Sequence, residues 1–428
     1  MAADSPGLLA ADVVGALDDP VGAYLHVPFC ERICPFCPYN KVVPRGDQPT
    51  RYFHALRSEV DRYLAAGAAD VSGSGGFTSL YVGGGTPTLF PDELAGLVRQ
   101  LPVTGERAIE VLPTHGTPCR LDALHTAGFT AVSIGAQSFH DEVLHRLRRP
   151  HDARTARAAV QAAVGRFPLV DVDLIVDVEL DDALSGAFLA DLRACFELGV
   201  DQASTYPLMR FGYTPFGTGA QNRRREHEVL AEAAELAREH GYERRSVWTF
   251  NRLDSATYTS ITRRRFLGMG AGASSFTGRD FYVNHFGVQT YIEAAEGSAL
   301  PLARWLHLGA AAGLAYDAFW QAYAGGIDLA TLDAAYGRWS QVARAALPPL
   351  VAAGLVHRED GHFTVTGRGF DRFHDLERWV TYQMIEPLWA EMLREHEREG
   401  CAATWATVRR ARSGRIWRMA SSLMERPV

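Results

Sequence analysis

Three cysteines fall within eight residues, Cys30, Cys34 and Cys37, in the run Leu25-His26-Val27-Pro28-Phe29-Cys30-Glu31-Arg32-Ile33-Cys34-Pro35-Phe36-Cys37-Pro38-Tyr39-Asn40-Lys41. Three thiolates on one short loop can serve one metal centre. Six cysteines in 428 residues are too few for a disulfide scaffold. A closed zinc site takes four ligands, usually from paired C-x2-C units, and no second pair or His-x3-His follows at suitable spacing, so zinc is the minority reading. An iron–sulfur cubane is normally held by four cysteines, and one held by three keeps an iron open to a substrate or cofactor. Cys119, Cys195 and Cys401 are scattered singly and read as small packing residues.

Other polar residues stand at the ends of apolar runs. Gly83-Gly84-Gly85-Thr86-Pro87 lets backbone approach a ligand closely, although a tight turn explains it equally well. Glu110 can face a cofactor ammonium or sit as a solvated acid. Asp173 lies between Asp171 and Asp177 in an apolar strand, which suits a pocket-facing carboxylate, with either neighbour as the competitor. Arg149 follows Arg146 and Arg148, a stretch that also reads as a solvated helix face. His26 can donate to a sulfide or carboxylate, but a His there more often satisfies a core.

Short apolar runs alternate with helical patterns, the rhythm of a parallel α/β sheet. Expected strands are 23–27, 79–82, 108–112, 131–135, 170–176 and 203–208. Expected helices between or after them are 52–65, 91–100, 120–127, 153–164, 187–198 and 223–240. Six βα units predict a partial (β/α)6 TIM-like barrel with chemistry at the C-terminal strand ends, where these motifs fall. Residues 281–292 are aromatic-rich without helical period, and 310–323 and 331–347 are strongly helical. Residues 350–356 and 361–367 read as helix, turn and hairpin, a winged-helix-like unit best taken as a cap. The expected division is an N-terminal extension, 1–20, a barrel, 21–295, and a mostly helical cap domain, 296–428.

The formal net charge of -7, without a block of like charges, gives no reason to expect nucleic acid or a polybasic membrane anchor. No apolar run approaches the roughly 18 residues that span a bilayer, so a cytoplasmic protein with a small-molecule partner is expected. Of 43 Lys plus Arg residues only Lys41 is lysine.

Tyr24-x-His26-x-Pro28-Phe29-Cys30, Gly83 to Pro87, Ile109-Glu110-x-x-Pro113 and Ser133-x-Gly135-x-Gln137-Ser138-Phe139 occur in that order. Together with the C-x3-C-x2-C loop they resemble the oxygen-independent coproporphyrinogen oxidase-like branch of radical S-adenosylmethionine (SAM) enzymes, across residues 22–290. The resemblance implies a 4Fe-4S cluster on Cys30, Cys34 and Cys37 whose open iron chelates one SAM. It implies that Gly84, Gly85 and Thr86 hold the methionine end of that SAM and that Glu110 meets its ammonium. It assigns a second SAM to Gln137, Arg149 and Asp173, and adenosyl contacts to Tyr24 and Phe36. A reductant such as flavodoxin or ferredoxin would supply the electron, and the Lys41 ammonium is expected near the cluster or a SAM carboxylate.

Three departures shape the functional expectation. The oxidases carry a fourth cysteine where Tyr39 stands, and the heme chaperones carry a His-Asn-x-x-Tyr-Trp signature absent from Phe281-Tyr282-Val283-Asn284-His285-Phe286. The usual Tyr-Gly-Leu-Pro is replaced by Val176-Asp177-Val178-Glu179. The expected activity is therefore that of the class C methyltransferases and cyclopropanases: transfer of a methyl or methylene group from a second SAM to an unsaturated natural-product carbon, with or without a partner methyltransferase. The alternatives are oxidative decarboxylation of a porphyrinogen, with Arg210, Arg244 and Arg245 as acid-recognising groups, and heme binding as a chaperone.

Overall fold

The computed structural model describes residues 3–4, 7–176, 186–217, 222–255, 265–359 and 362–395. Asp177, Val178, Glu179, Cys401 and the expected end of the cap beyond residue 395 lie outside the described residues. A two-residue strand, β1 (Ala3–Asp4), precedes the core strands β2 (Gly22–Val27), β3 (Leu80–Gly84), β4 (Arg107–Val111), β5 (Ala131–Gln137), β6 (Leu169–Val176) and β7 (Gln202–Pro207). These six core strands pair in parallel, in chain order. Their near-continuous burial is what a sheet covered by helices on its outside requires.

The helices Gln48–Ala65, Pro91–Gln100, Pro118–Thr126, Ala153–Ala163, Ala187–Leu198 and Arg223–Glu239 follow these strands. The largest difference from expectation is the first, which begins at Gln48 rather than at the first aromatic, Tyr52. Pro49 fits a first turn, whose N–H has no intrahelical partner, so a polar start precedes the apolar periodicity. Asp152 caps Ala153–Ala163 by accepting from the Thr155 N–H at 2.7 Å. The six-unit barrel is thus present as expected.

The sheet extends beyond that barrel. On one side β7 continues through β9 (Thr249–Arg252) to β8 (Tyr242–Arg244), both antiparallel additions. On the other side β10 (Phe266–Met269) runs parallel to β2, then β11 (Ser274–Phe276), β12 (Asp280–Asn284) and β13 (Leu302–His307) follow antiparallel, with β1 outermost. The aromatic stretch 281–292 resolves into β12 and the helix Val288–Ala295. Pairing of β13 with β12 carries the sheet past the expected boundary at residue 295, because ladder hydrogen bonds join segments that composition separates.

The C-terminal region is mostly helical. Ala310–Tyr323, Leu329–Tyr336 and Ser340–Ala352 surround a small antiparallel sheet of β14 (Gly326–Ile327), β16 (His362–Val365) and β15 (Val356–Glu359), a winged-helix-like arrangement. Helix Gly367–Val380 then passes through a π-helical turn, Thr381–Ile385, into Glu386–Met392. This segment is clasped to the barrel. Arg378 and His374 meet Glu226, Trp248 Nε1 donates to Glu377 at 2.7 Å, and Arg244 pairs with Asp371 at 2.9 Å. Among the described residues no helix is long and apolar enough to cross a membrane.

Candidate functional site

The cysteine loop leaves the end of β2 and is closed at its base by backbone pairing. Cys30 N–H donates to Val42 O at 2.9 Å, and Val42 N–H donates to Pro28 O at 2.7 Å. Asn40 pins the far end, its Nδ2 donating to Ala271 O at 3.0 Å and Phe286 O at 2.9 Å. His26 is buried and its pKa is lowered to about 4, chiefly by desolvation. A carbonyl only accepts, so neutral His26 donates from Nε2 to Asn40 O at 2.9 Å and accepts at Nδ1 from Tyr24 O–H at 2.7 Å. Its expected donation to a sulfide or carboxylate is thereby replaced: the ring holds the loop.

Cys30, Cys34 and Cys37 all line one cavity at the C-terminal ends of the strands. Three polar groups are directed at them or at their backbone. Thr86 Oγ1 lies 3.6 Å from Cys30 Sγ, Arg149 Nη1 lies 3.3 Å from Cys34 Sγ, and Lys41 Nζ donates to Cys37 O at 2.5 Å. Burial, followed by the neighbouring Cys37, pushes the Cys30 thiol up to about 12. The Cys30 thiol therefore gives up its proton more readily against a cationic ligand than in the empty site. Among the described residues no three His, Cys, Asp or Glu side chains gather closely enough for one ion. The thiolates of a cubane bind separate irons, and three cysteines on one cavity wall fit that donor set.

Gly85 leaves room beside this loop. A Cβ on it would stand 2.6 Å from Phe29 O and 3.0 Å from Cys30 Sγ. Gly84 has φ +119°, a region L side chains rarely adopt. Its N–H donates to Glu110 Oε2 at 3.2 Å, while Tyr81 O–H donates to Oε1 at 2.7 Å. Even with these bonds, desolvation raises the Glu110 pKa to about 7. A carboxylate so placed gains from a cation arriving in the cavity.

Gln137, Arg149 and Asp173 line the same cavity. Gln137 sits at φ 69°, a left-handed conformation for a non-glycine residue, beside the register shift that ends β5. Arg149 is half-buried, its Nη2 donating to Gly135 O at 2.7 Å, whereas Arg146 and Arg148 are exposed. Asp173 faces the cavity, and Asp171 lies buried behind it. Ser133 Oγ is 3.0 Å from Asp173 Oδ2 and 3.2 Å from Asp171 Oδ2, and Ser204 Oγ is 2.9 Å from both Asp171 oxygens. Burial holds both carboxyls above their ordinary range, with Asp173 adding to the rise of Asp171. Ser204 can serve Asp171 and Ser133 can serve Asp173, so it is burial, followed for Asp171 by the neighbouring Asp173 charge, that favours a proton kept by the pair.

Tyr24 stacks on Tyr81 with centroids 5.9 Å apart, and Phe36 packs with Val143, Leu147, Ile175 and Leu208. Both also line the cavity. The cavity measures about 2340 Å³ and reaches from the cysteine loop to the cap. Its far wall is built by Tyr316, Phe319, Trp320 and Tyr323 from one helix and by Phe373, Leu376, Val380 and Met384 from another segment. Leu376 and Met384 are each 47% exposed, apolar surface open to the cavity. Tyr39 stands among these walls, 52% exposed and near Trp389.

Tyr81, Ser133 and Asp171 were not picked out by sequence reasoning as partners of the site residues. Period-two alternation with Gly83, Gly135 and Asp173 was the available signal. Arg244 and Arg245 do not serve as acid-recognising groups at the cavity. Arg244 ties to Asp371 and Val247 O, and Arg245 to Glu243, Ser255 O and Leu253 O. Arg210 N–H donates to Tyr382 Oη at 3.1 Å.

Comparison with known proteins gives consistent matches. The Radical SAM superfamily model matches residues 24–186. The heme chaperone HemW of Mycobacterium tuberculosis is 31% identical over 379 residues, 82% of this chain and 92% of the relative. The oxygen-independent coproporphyrinogen III oxidase of Paracoccus denitrificans is 36% identical over 153 residues, 33% of each protein. The fold superposes on coproporphyrinogen III oxidase (HemN) from Escherichia coli with TM-score 0.71 at 23% identity, covering 86% of this chain and 91% of that one.

These relatives overturn the expected C-methylation or cyclopropanation and the assignment to class C methyltransferases. That expectation drew on missing signatures, Tyr39 in place of a fourth cysteine, the 281–286 stretch and Val176-Asp177-Val178-Glu179, and a missing signature does not itself name another substrate. The site takes a 4Fe-4S cluster and SAM, and the chain belongs to the radical SAM superfamily, among the coproporphyrinogen oxidase-like proteins that include HemN and HemW.

Proposed function

We propose that the chain binds a heme-class tetrapyrrole in the cavity between barrel and cap, above a SAM-bound cluster on Cys30, Cys34 and Cys37. One observation carries this reading: a wall of aromatic and aliphatic side chains faces the cysteine loop across a cavity of about 2340 Å³. Pockets for one small ligand hold roughly 300–1,000 Å³, so this space accommodates a broad flat ligand besides SAM. The likeness to a heme chaperone over 92% of that protein's length supports heme over a porphyrinogen.

When bound, the cluster and SAM supply one-electron cleavage of SAM to a deoxyadenosyl radical. The chain's own groups bind and orient. Gly84, Gly85 and Thr86 present backbone to the methionine end of SAM, Glu110 accepts from its ammonium, and Tyr24 and Phe36 pack against adenosyl groups. Gln137, Arg149 and Asp173 hold a second SAM, with Ser133 and Asp171 fixing the Asp173 carboxyl. The aromatic cap excludes water from the cavity. The protein works in the cytoplasm, with an electron carrier such as flavodoxin or ferredoxin as partner.

The test is anaerobic reconstitution followed by heme titration at visible wavelengths. Saturable one-to-one binding is expected. Ala315 is exposed on the cavity wall, so Ala315→Trp fills the cavity without displacing core and is expected to weaken heme at least tenfold at unchanged iron content. Unsaturable heme binding, or binding indifferent to Ala315→Trp, refutes the reading. Deoxyadenosine formed with coproporphyrinogen III in place of stoichiometric heme binding moves it to the oxidase type.

A further inference from the structure

Lys41 is the chain's sole lysine, and its side chain is not used as an ordinary surface charge. The residue is 8% exposed and lines the cavity. Its Nζ donates to Cys37 O at 2.5 Å and to Tyr39 O at 2.9 Å, so the ammonium is folded back onto the loop that carries the cysteines. Arg149, which reaches the loop from beyond β5, lies 3.3 Å from Cys34 Sγ and is also bound to Gly135 O, and Arg32, on the loop itself, is exposed. Lys41 therefore brings a full positive charge against the backbone of the third cysteine, and at 8% exposure that charge acts over a lower effective dielectric than in solvent.

We infer that Lys41 is a positioning residue that fixes the Cys37–Tyr39 turn and, by its charge, makes the cluster easier to reduce. Three thiolates and a 4Fe-4S core with charge +2 give a net charge of about -1, and adding one electron makes it about -2. A fixed ammonium stabilises the more negative state. The two carbonyl contacts explain why the charge cannot swing away into solvent, as an unbonded lysine would. The inference rests on the reading of the three cysteines as cluster ligands.

Lys41→Gln keeps an amide donor for the carbonyls and removes the charge, and Lys41→Arg keeps the charge. Both are to be reconstituted with wild type, with iron and sulfide counted before a redox titration followed by electron paramagnetic resonance. The expected result is a full cluster in all three, a midpoint in Lys41→Gln moved to more negative potential, and a wild-type midpoint in Lys41→Arg. A tenfold change in the reduced-to-oxidised ratio at fixed potential corresponds to ~59 mV for one electron. Full iron in Lys41→Gln with an unmoved midpoint overturns the inference alone. Wild type that binds no cluster overturns the ligand reading and this inference with it. If Lys41→Gln cannot hold a cluster, a midpoint in Lys41→Arg displaced to more negative potential also overturns it, whereas an unmoved one supports it.

Discussion

Replacing Glu110 by Gln is expected to stabilise the SAM-free protein while weakening SAM. Burial raises the Glu110 pKa from 4.5 to about 7. The folded chain thus binds this proton more tightly than the unfolded chain, and the ionised form is penalised. At ~1.36 kcal/mol per unit the penalty is about 3 kcal/mol above pH 7. It falls to about 1.4 kcal/mol at pH 5.5 and vanishes below about 4.5, where both states are protonated. Gln fills the same space and still accepts from Tyr81, but its amide nitrogen turns a donor toward the Gly84 N–H and loses that bond, about 1 kcal/mol. The variant is then about 2 kcal/mol more stable than wild type at pH 8 and nearly equal at pH 5.5. Over 428 residues, at ~2.1 cal/mol/K per residue, each kcal/mol moves Tm by about 1 °C.

Differential scanning fluorimetry at the two pH values reads this directly, and anaerobic equilibrium dialysis reads SAM. Removing a buried charge partner of the ammonium costs roughly 2–3 kcal/mol, about 30- to 150-fold in affinity. Wild-type affinity itself falls about tenfold from pH 8 to pH 6 as the ionised fraction of Glu110 drops. A variant less stable than wild type at pH 8 would show that Glu110 bears no burial penalty. Unchanged SAM affinity would show that the ammonium does not meet it.

Gly85→Ala places a methyl 2.6 Å from Phe29 O, a backbone atom that cannot swing away, and is expected to lower iron retained after reconstitution; metal analysis against wild type checks it. Asn40→Ala strands two buried carbonyls, Ala271 O and Phe286 O, and is expected to cost roughly 2–4 kcal/mol. Its Tm, read beside cluster absorbance, is expected to fall by about 2–4 °C at matched pH. Cys34→Ala removes a thiol on an exposed-to-cavity loop and is expected to abolish cluster absorbance with far-UV circular dichroism unchanged; an intact cluster in this variant excludes Cys34 as a ligand.

The barrel was legible because each strand buries nearly every residue and each helix carries one apolar stripe, so period alone places them. Helix 187–198 is located to the residue, since Gly199 at φ +75° stops it where the apolar pattern stops. The polar start before Tyr52 carried no such period. Pairing of β13 with β12 was invisible for a related reason: a ladder is made by backbone groups, which are alike in every residue. Within the site, Glu110 was legible from its place at a strand end and Asp173 as a carboxylate inside an apolar strand. Their partners were not, because Tyr81 and Ser133 become neighbours only when adjacent strands fall into register, as in the pairing of Ser133 with Asp171.

The substrate was misread because the residues that face it are scattered. Phe319 and Phe373 stand 54 positions apart in sequence yet meet with ring centroids at 4.8 Å. In sequence each reads as one more core aromatic on its own helix. Only the cap brings them to one wall, and the contacts of Arg378 and His374 with Glu226, of Trp248 with Glu377 and of Arg244 with Asp371 hold that segment against the barrel. Tyr39 and the 281–286 stretch, read as motifs, appeared to remove both oxidase and chaperone. A missing signature removes particular side chains, but the space they would have occupied remains, with its apolar surface still to be covered. That unpaired surface, including Leu376 and Met384 at 47% exposure each, has a hydrophobic cost that a flat apolar ligand relieves.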